Sequence, residues 1–273
     1  MAKNKKHKKP TMAEQADRHV LYEQSVQNVE YEVEFAQERF KELKGRKLKS
    51  IREDFAGTAA AACAWVAADP EHTAIAVDID ADVMDWGRKH HYKKLKKNQQ
   101  KRMQFLVGDV RTTETPKVDA IWAFNFSYWH FRKRQELIDY FKKLKTDLVK
   151  DGVLFLDAFG GYEAYEELEE ETEHDDFTYV WEQAHYNPIS GEQRCHIHFR
   201  FPDGSALEKA FSYTWRLYSM PEITEMLEEA GFKKIRIYMQ GWDEETDEET
   251  DDYFEVTECD ADPGWIAYVI AEK

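Results

Sequence analysis

The stretch Arg52-Glu53-Asp54-Phe55-Ala56-Gly57-Thr58-Ala59 runs from a strand pattern straight into a helix pattern. The residues from Leu48 to Asp54 read as a short strand. Those from Thr58 to Ala68 are almost all small and apolar and read as a buried helix. A small-residue turn at such a junction lets backbone N–H groups come close to a ligand, and the helix N-terminus adds its own favourable field. Outward from this turn, strands are predicted at Leu48–Asp54, Thr73–Asp78, Met103–Gly108, Val118–Ala123 and Gly152–Ala158, with helices over Thr58–Ala68, Ala81–Leu95 and Arg132–Val149. Short apolar strands alternating with helices predict an α/β fold, a Rossmann-like doubly wound parallel sheet with crossover helices on both faces.

Other segments flank this pattern. Residues 1–10 form a basic tail with Lys3, Lys5, Lys6, Lys8 and Lys9, predicted to be disordered. Over 11–45, Val20, Tyr22, Val26, Val29, Val33, Phe35, Phe40 and Leu43 suit amphipathic helices ended by Gly45, a helical lid preceding the main domain over 46–273. After Gly160-Gly161 an acidic stretch, Glu163 to Glu173, reads as helical. Three β segments then follow at Thr178–Tyr186, Arg194–Phe201 and Ala206–Trp215. Turn residues Asn187-Pro188, Ser190-Gly191 and Pro202-Asp203-Gly204 separate them, so an antiparallel meander is inserted at about 162–217. Ser219, with Pro221 and Glu222 behind it, forms a capping box that opens a further helix. Strands Lys234–Met239 and Trp265–Ala271 close the chain, joined by a stretch from Asp243 to Asp262 read as a solvated acidic loop.

In an open parallel sheet, nucleotide-type ligands sit at the carboxyl ends of the strands. Four such ends carry suitable groups. Glu53 and the turn Ala56-Gly57-Thr58 follow from the first strand. Asp78 ends the second, about twenty positions after Gly57, the offset at which an acid accepts from ribose hydroxyls, and Ile79 beside it can pack on an adenine face. Asp109 after the third can accept from an adenine amino group while Val110 closes the other side of the ring. Asn125 after the fourth stands in the run Asn125-Phe126-Ser127-Tyr128-Trp129-His130, which brings polar and aromatic groups to the reactive end of the ligand.

With these residues the chain resembles class I S-adenosylmethionine-dependent methyltransferases, from about Leu48 to the C-terminus and including the N-terminal helices. The resemblance implies a seven-stranded sheet of order 3-2-1-4-5-7-6 and S-adenosylmethionine as cofactor, with S-adenosylhomocysteine as product and no metal. It also implies Glu53 near the methionine amino group, Asp78 on the ribose, Asp109 on the adenine amino group and Asn125 near the methionine and the acceptor. One departure stands in the first motif, where Phe55 and Ala59 occupy positions that are usually glycine. The GxGxxG of a dinucleotide-binding protein is missing.

The acceptor side is read from aromatic and titratable groups. Tyr128 and His130 are candidates for a catalytic base or for packing. Tyr22 reads either as a lid over the cofactor or as helix packing. Tyr162, Tyr213, Trp215 and Arg216 are acceptor-pocket candidates, Arg216 with a salt bridge as its alternative. Phe126, Tyr128, Trp129, Tyr213 and Trp215 could cage a cationic amine. A net charge of −16 favours attracting such a cation and opposes nucleic acid, although Arg88 to Arg102 forms a local basic run. A small-molecule acceptor is therefore expected. The alternatives are a non-catalytic S-adenosylmethionine-binding sensor and a nucleic-acid methyltransferase. Three scattered cysteines, no apolar run of bilayer length and no secretory signal predict a cytoplasmic protein outside the membrane.

Overall fold

The computed structural model describes residues 9–243 and 248–273. The chain forms two compact units, one of residues up to 27 and 166–215, the other of 28–165 and 216–273.

The larger unit is built on α3 (Val29–Lys44), β1 (Ser50–Asp54), α4 (Ala60–Ala68), β2 (Thr73–Asp78), α5 (Ala81–His90), α6 (Lys97–Gln100), β3 (Met103–Val107), β4 (Val118–Ala123), α7 (Arg134–Asp147), β5 (Leu148–Gly160), α8 (Met220–Glu229), β10 (Lys233–Asp243), β11 (Glu248–Val256) and β12 (Trp265–Glu272). Its sheet has eight strands in the order β11-β10-β12-β5-β4-β1-β2-β3. The five strands β1 to β5 run parallel, and β12, β10 and β11 are antiparallel to their neighbours. This is the expected order, extended by one further edge strand.

Local chemistry accounts for the boundaries. The side chain of Asn28 caps α3 through the Tyr31 N–H, and Gly45 ends it in the left-handed region at φ 64°. Asp80 caps α5 by accepting from Asp82 and Val83. Ser219 and Glu222 form the capping box that opens α8. Helix α4 is apolar almost all round and sits in the core with Trp65 and Val66 fully buried, a consequence of lying between α3 and the sheet. The helix expected over Ala81–Leu95 ends at His90, and the basic run continues through a 3-10 turn into α6.

The smaller unit holds α1 (Met12–Gln15), α2 (Arg18–Ser25) and a four-stranded antiparallel sheet of β6 (Leu168–Glu173), β7 (Thr178–Asn187), β8 (Glu192–Arg200) and β9 (Ala206–Arg216), in that order. Leu21, Phe177, Ile197, Phe199 and Phe201 form its own core, with Met12, Tyr22 and Tyr213 packed against it. The helical stretch expected as one lid over 11–45 thus divides at Asn28: α1 and α2 belong to the meander's unit and α3 to the main sheet's.

Two expectations are corrected. Of the acidic stretch from Glu163 to Glu173, only Glu163–Tyr165 is helical, as one 3-10 turn, and Leu168–Glu173 is strand β6. Within the stretch expected to be a loop from Asp243 to Asp262, Glu248–Val256 is strand β11. Both are edge strands. An edge strand needs only one bonded neighbour and tolerates charge, which blocks pairing with another chain, so acidic composition did not preclude a strand. Arg200 bridges Glu169 and Glu171 of β6. The basic tail falls mainly on residues 1–8, and part of the acidic stretch on 244–247, outside the described residues.

Candidate functional site

Side chains alternate along β1. Arg52 and Asp54 share one face, and Ile51 and Glu53 the other. On the first face the buried Arg52 donates from Nε and Nη2 to Asp54 at 2.6 and 2.8 Å and from Nη1 to Asp147 at 2.5 Å. The Tyr140 hydroxyl donates to Asp54 at 2.8 Å, and Lys143 to Asp147 at 2.6 Å. Every charge in this cluster has a counter-charge. On the opposite face Glu53 accepts from the Ala62 N–H at 2.9 Å. Burial pushes its carboxyl up to about 8, and the charges of Asp78 and Asp54 act in the same direction.

Between β1 and α4, Phe55, Gly57 and Ala59 all take left-handed backbone, at φ 56°, 52° and 55°. Phe55 and Ala59 are the positions where glycines are usual, and the chain keeps the glycine conformation there with larger residues. Each such residue carries strain of about 1 kcal/mol or more. Local bonds hold the path: Ala56 N–H to Val77 O at 3.1 Å and Ala59 N–H to Ala56 O at 2.7 Å. The Asp78 carboxylate accepts from Gly57 N–H at 2.8 Å and from Asp80 N–H at 2.8 Å, tying the ends of β1 and β2 together. Helix α5 presses against this turn, since a Cβ at Gly87 would lie 2.0 Å from the Thr58 carbonyl oxygen. Beside Asp78, Ile79 is 72% exposed.

After β3, Asp109 is held by Arg111, whose Nη2 lies 2.6 Å from it and whose own N–H donates to it at 2.9 Å. The guanidinium draws the Asp109 carboxyl below the usual range. Val110 is buried, so its side chain belongs to the core rather than to an open ring-stacking surface.

After β4, Asn125 and Phe126 are both left-handed, at φ 57° and 55°. Their N–H groups donate to the two carboxylate oxygens of Asp157 at 2.6 and 2.8 Å. Asp157, on β5, was not singled out from sequence, although an aspartate inside the run Val-Leu-Phe-Leu-Asp-Ala-Phe is a visible signal. Burial pushes its carboxyl up to about 7, against the pull of those two bonds. Tyr128 sits as its packing alternative describes: it is fully buried, and its hydroxyl donates to the Asp157 carbonyl at 2.8 Å, so it braces the turn. Trp129 is fully buried as well, which removes both residues from an amine cage. His130 is exposed.

The remaining candidates are dispersed. Tyr22 packs on Phe211 at 4.9 Å within the meander's unit. Tyr213 stacks on Trp215 at 4.5 Å in the same unit. In the larger unit Tyr162 is 57% exposed. Arg216 pairs with Glu222 at 2.9 Å and lies over the Tyr218 ring, which is the salt-bridge alternative. Among the described residues no group of three or more His, Cys, Asp or Glu is arranged to hold a metal ion, and no helix is long and apolar enough to cross a membrane.

No protein-family profile matches the sequence, and no curated protein matches it. Solved structures do match. A S-adenosylmethionine-dependent methyltransferase from Clostridium acetobutylicum is similar at TM-score 0.64 and 15% identity, covering 93% of this chain and 96% of that one. CalS10, an amino pentose methyltransferase from Micromonospora echinaspora, solved with bound S-adenosylmethionine, gives 0.63 and 12%, covering 96% and 99%. The sugar N-methyltransferase KedS8 from Streptoalloteichus gives 0.61 and 14%, covering 97% and 95%. At these identities the likeness is one of architecture, and together with the strand order it shows that the chain has the class I S-adenosylmethionine-dependent methyltransferase fold.

Proposed function

We propose that this protein binds S-adenosylmethionine at the carboxyl ends of β1 to β4 and transfers its methyl group to a small-molecule acceptor. The observation that carries this reading is the ordered set Glu53, Asp78, Asp109 and Asn125, one at the end of each of four parallel strands, around a turn of left-handed backbone. The residues fit the cofactor. Asp78 and the Gly57 turn meet the ribose, the exposed Ile79 offers apolar surface to adenine, and Asp109 takes the adenine amino group in exchange for Arg111. Glu53 takes up negative charge at the methionine end as the ammonium group arrives. Val110 supports this surface from within the core.

When bound, the cofactor supplies a methyl group already activated on a sulfonium sulfur. What remains for the chain is to orient the acceptor and exclude water, contributions that reach about 7–11 kcal/mol in favourable cases. A small amine is the acceptor class that best suits an acidic chain, and the structurally similar CalS10 and KedS8 act on amino sugars and sugar nitrogens. Such an amine must react as its neutral form, which buried carboxylates of raised proton affinity favour.

The test is calorimetric titration of S-adenosylmethionine and S-adenosylhomocysteine into wild type and Asp78→Asn. Asparagine keeps an acceptor for the Gly57 N–H while removing the charge. Saturable wild-type binding that weakens about tenfold in the variant, about 1.4 kcal/mol, is expected. A wild type that binds neither compound overturns the reading.

A further inference from the structure

Helix α3 turns its buried face to the core through Glu32, Val33, Phe35, Ala36 and Phe40. Four of these are apolar, as an amphipathic helix requires, and the fifth is a carboxylate in register with Phe35 and Ala36 one turn on. Glu32 is only 6% exposed, and its side chain makes no hydrogen bond or ion pair with any described residue. A charged group in such a position costs several kcal/mol unless something compensates it. Its electrostatic neighbours make matters worse: Asp157 and Glu53 both carry negative charge towards it. Tyr268 of β12, the cross-strand partner of Asp157, packs on α3 with its ring 4.5 Å from that of Phe35 and 6.3 Å from that of Tyr31, so the helix that carries Glu32 lies against β12 beside the strand that carries Asp157.

Among the described residues no side chain neutralises this group. Among the described residues Glu53 accepts from the Ala62 N–H, and Asp157 from the N–H groups of Asn125 and Phe126, all of them neutral backbone donors. Among the described residues no lysine, arginine or histidine pairs with Glu32, Glu53 or Asp157, whereas Asp54 and Asp147 on the other side of the sheet have Arg52 and Lys143. The described residues also provide no metal-ligand geometry here. An organic cation is what the methyl-transfer reading brings to this place.

We propose that Glu32, together with Glu53 and Asp157, forms a buried receiving site for an organic ammonium group. The proposal rests on the methyl-transfer reading and deepens it. Two ammonium groups enter such a reaction, the α-ammonium of S-adenosylmethionine and that of an amine acceptor. The site's place between the end of β1 and the Asn125 turn suits either. Burial and its two acidic neighbours raise the proton affinity of Glu32, so the ligand-free protein holds this carboxyl neutral and an arriving cation draws it into the charged form.

Titration of S-adenosylmethionine, S-adenosylhomocysteine and 5′-methylthioadenosine into wild type, Glu32→Gln and Glu32→Met separates the sources. The third compound lacks the amino-acid portion. If the cofactor's ammonium is received, both variants lose about tenfold or more for the first two ligands and nothing for the third. If the acceptor's is received, binding of all three is unchanged. Labelled methyl transfer to glucosamine and putrescine then falls about tenfold in the variants, with none of that loss for glucose and 1,4-butanediol. The ligand-free variants are expected to melt at or above the wild-type temperature, because a buried carboxyl that must take up a proton on folding, at a cost in free energy, has been removed, whereas a merely structural residue would lower it. Wild-type binding with neither arm moved overturns the receiving site alone. A wild type that binds none of the three compounds removes the methyl-transfer reading and the site with it.

Discussion

The two faces of β1 solve the same electrostatic problem in opposite ways. Arg52 and Asp54 face a closed cluster in which Asp147, Lys143 and Tyr140 satisfy every charge and most lone pairs. One residue away, Glu53 belongs to an open cluster with Glu32 and Asp157, in which all three carboxyls are pushed above their ordinary range and no cationic side chain among the described residues answers them. Arg52, Asp54, Glu32 and Asp157 are buried and Glu53 is half-buried, so solvent screening alone does not distinguish the two sets. The difference is what completes each: the closed cluster is completed by the chain itself and serves the fold, whereas the open one is, on our proposal, completed by a ligand. Carboxylate count alone would not have told them apart.

The largest effect is expected where the closed cluster is opened. Arg52→Met leaves Asp54 with Tyr140 alone and Asp147 with Lys143, and stranding a buried charge in this way costs about 3–5 kcal/mol. Urea denaturation of the ligand-free protein measures it. A loss below about 1 kcal/mol would mean that the cluster relaxes to admit water, and the contrast between the faces would weaken accordingly.

A smaller effect, of opposite sign, is expected on the open side. Glu53 titrates at about 8 in the folded protein against an ordinary value of 4.5, so folded chains hold a proton that unfolded chains have shed. The stability contributed by that proton is fully present below about 4.5 and is lost as pH rises through about 8. Asp157, raised from 3.8 to about 7, acts in the same sense. Glu53→Gln removes the first of these, so its stability should fall less steeply with pH and exceed that of wild type near pH 8 by about 1–3 kcal/mol. Denaturation curves taken across that window decide it; wild-type stability that climbs with pH instead would show that Glu53 is charged in the folded state.

How much of this could be read from the sequence depends on which force shaped each part. The parallel strands were legible because burial on both faces demands short apolar runs, and Thr73–Asp78 and Val118–Ala123 fall where periodicity puts them. Strands β6 and β11 were not, because edge position lets Glu and Asp replace the apolar alternation that marks a strand. At the candidate site, Asp78 and Glu53 stood out by their place after strands. Glu32 lay hidden in an amphipathic pattern that was read for its valines and phenylalanines, and Asp157 within a strand read for its leucines. Tyr128 misled because a polar aromatic after a strand looks the same in sequence whether its hydroxyl meets a ligand or, as here, the Asp157 carbonyl. The division of the N-terminal helices at Asn28 depends on which core each half joins, a tertiary choice that helix propensity does not express.

The smallest effect is expected at Asp109, where an exposed charge pair imitates the closed cluster in miniature. Arg111 grips the carboxylate by its guanidinium and its own N–H, and lies over the Phe131 ring, yet both partners remain partly open to solvent. An exposed pair of this kind contributes about 0–1 kcal/mol, so Arg111→Ala should barely change the denaturation midpoint. Its effect on ligand binding carries the information. If Asp109 receives the adenine amino group, Arg111 competes for the same oxygens, and its removal should tighten S-adenosylmethionine binding by up to about threefold, less than 1 kcal/mol. Raising salt should bring wild type towards the variant, since screening loosens the pair. Weaker binding in Arg111→Ala would mean that the arginine aims the carboxylate rather than occupying it, and Asp109 would then join the closed side of the comparison, as a charge whose partner belongs to the chain.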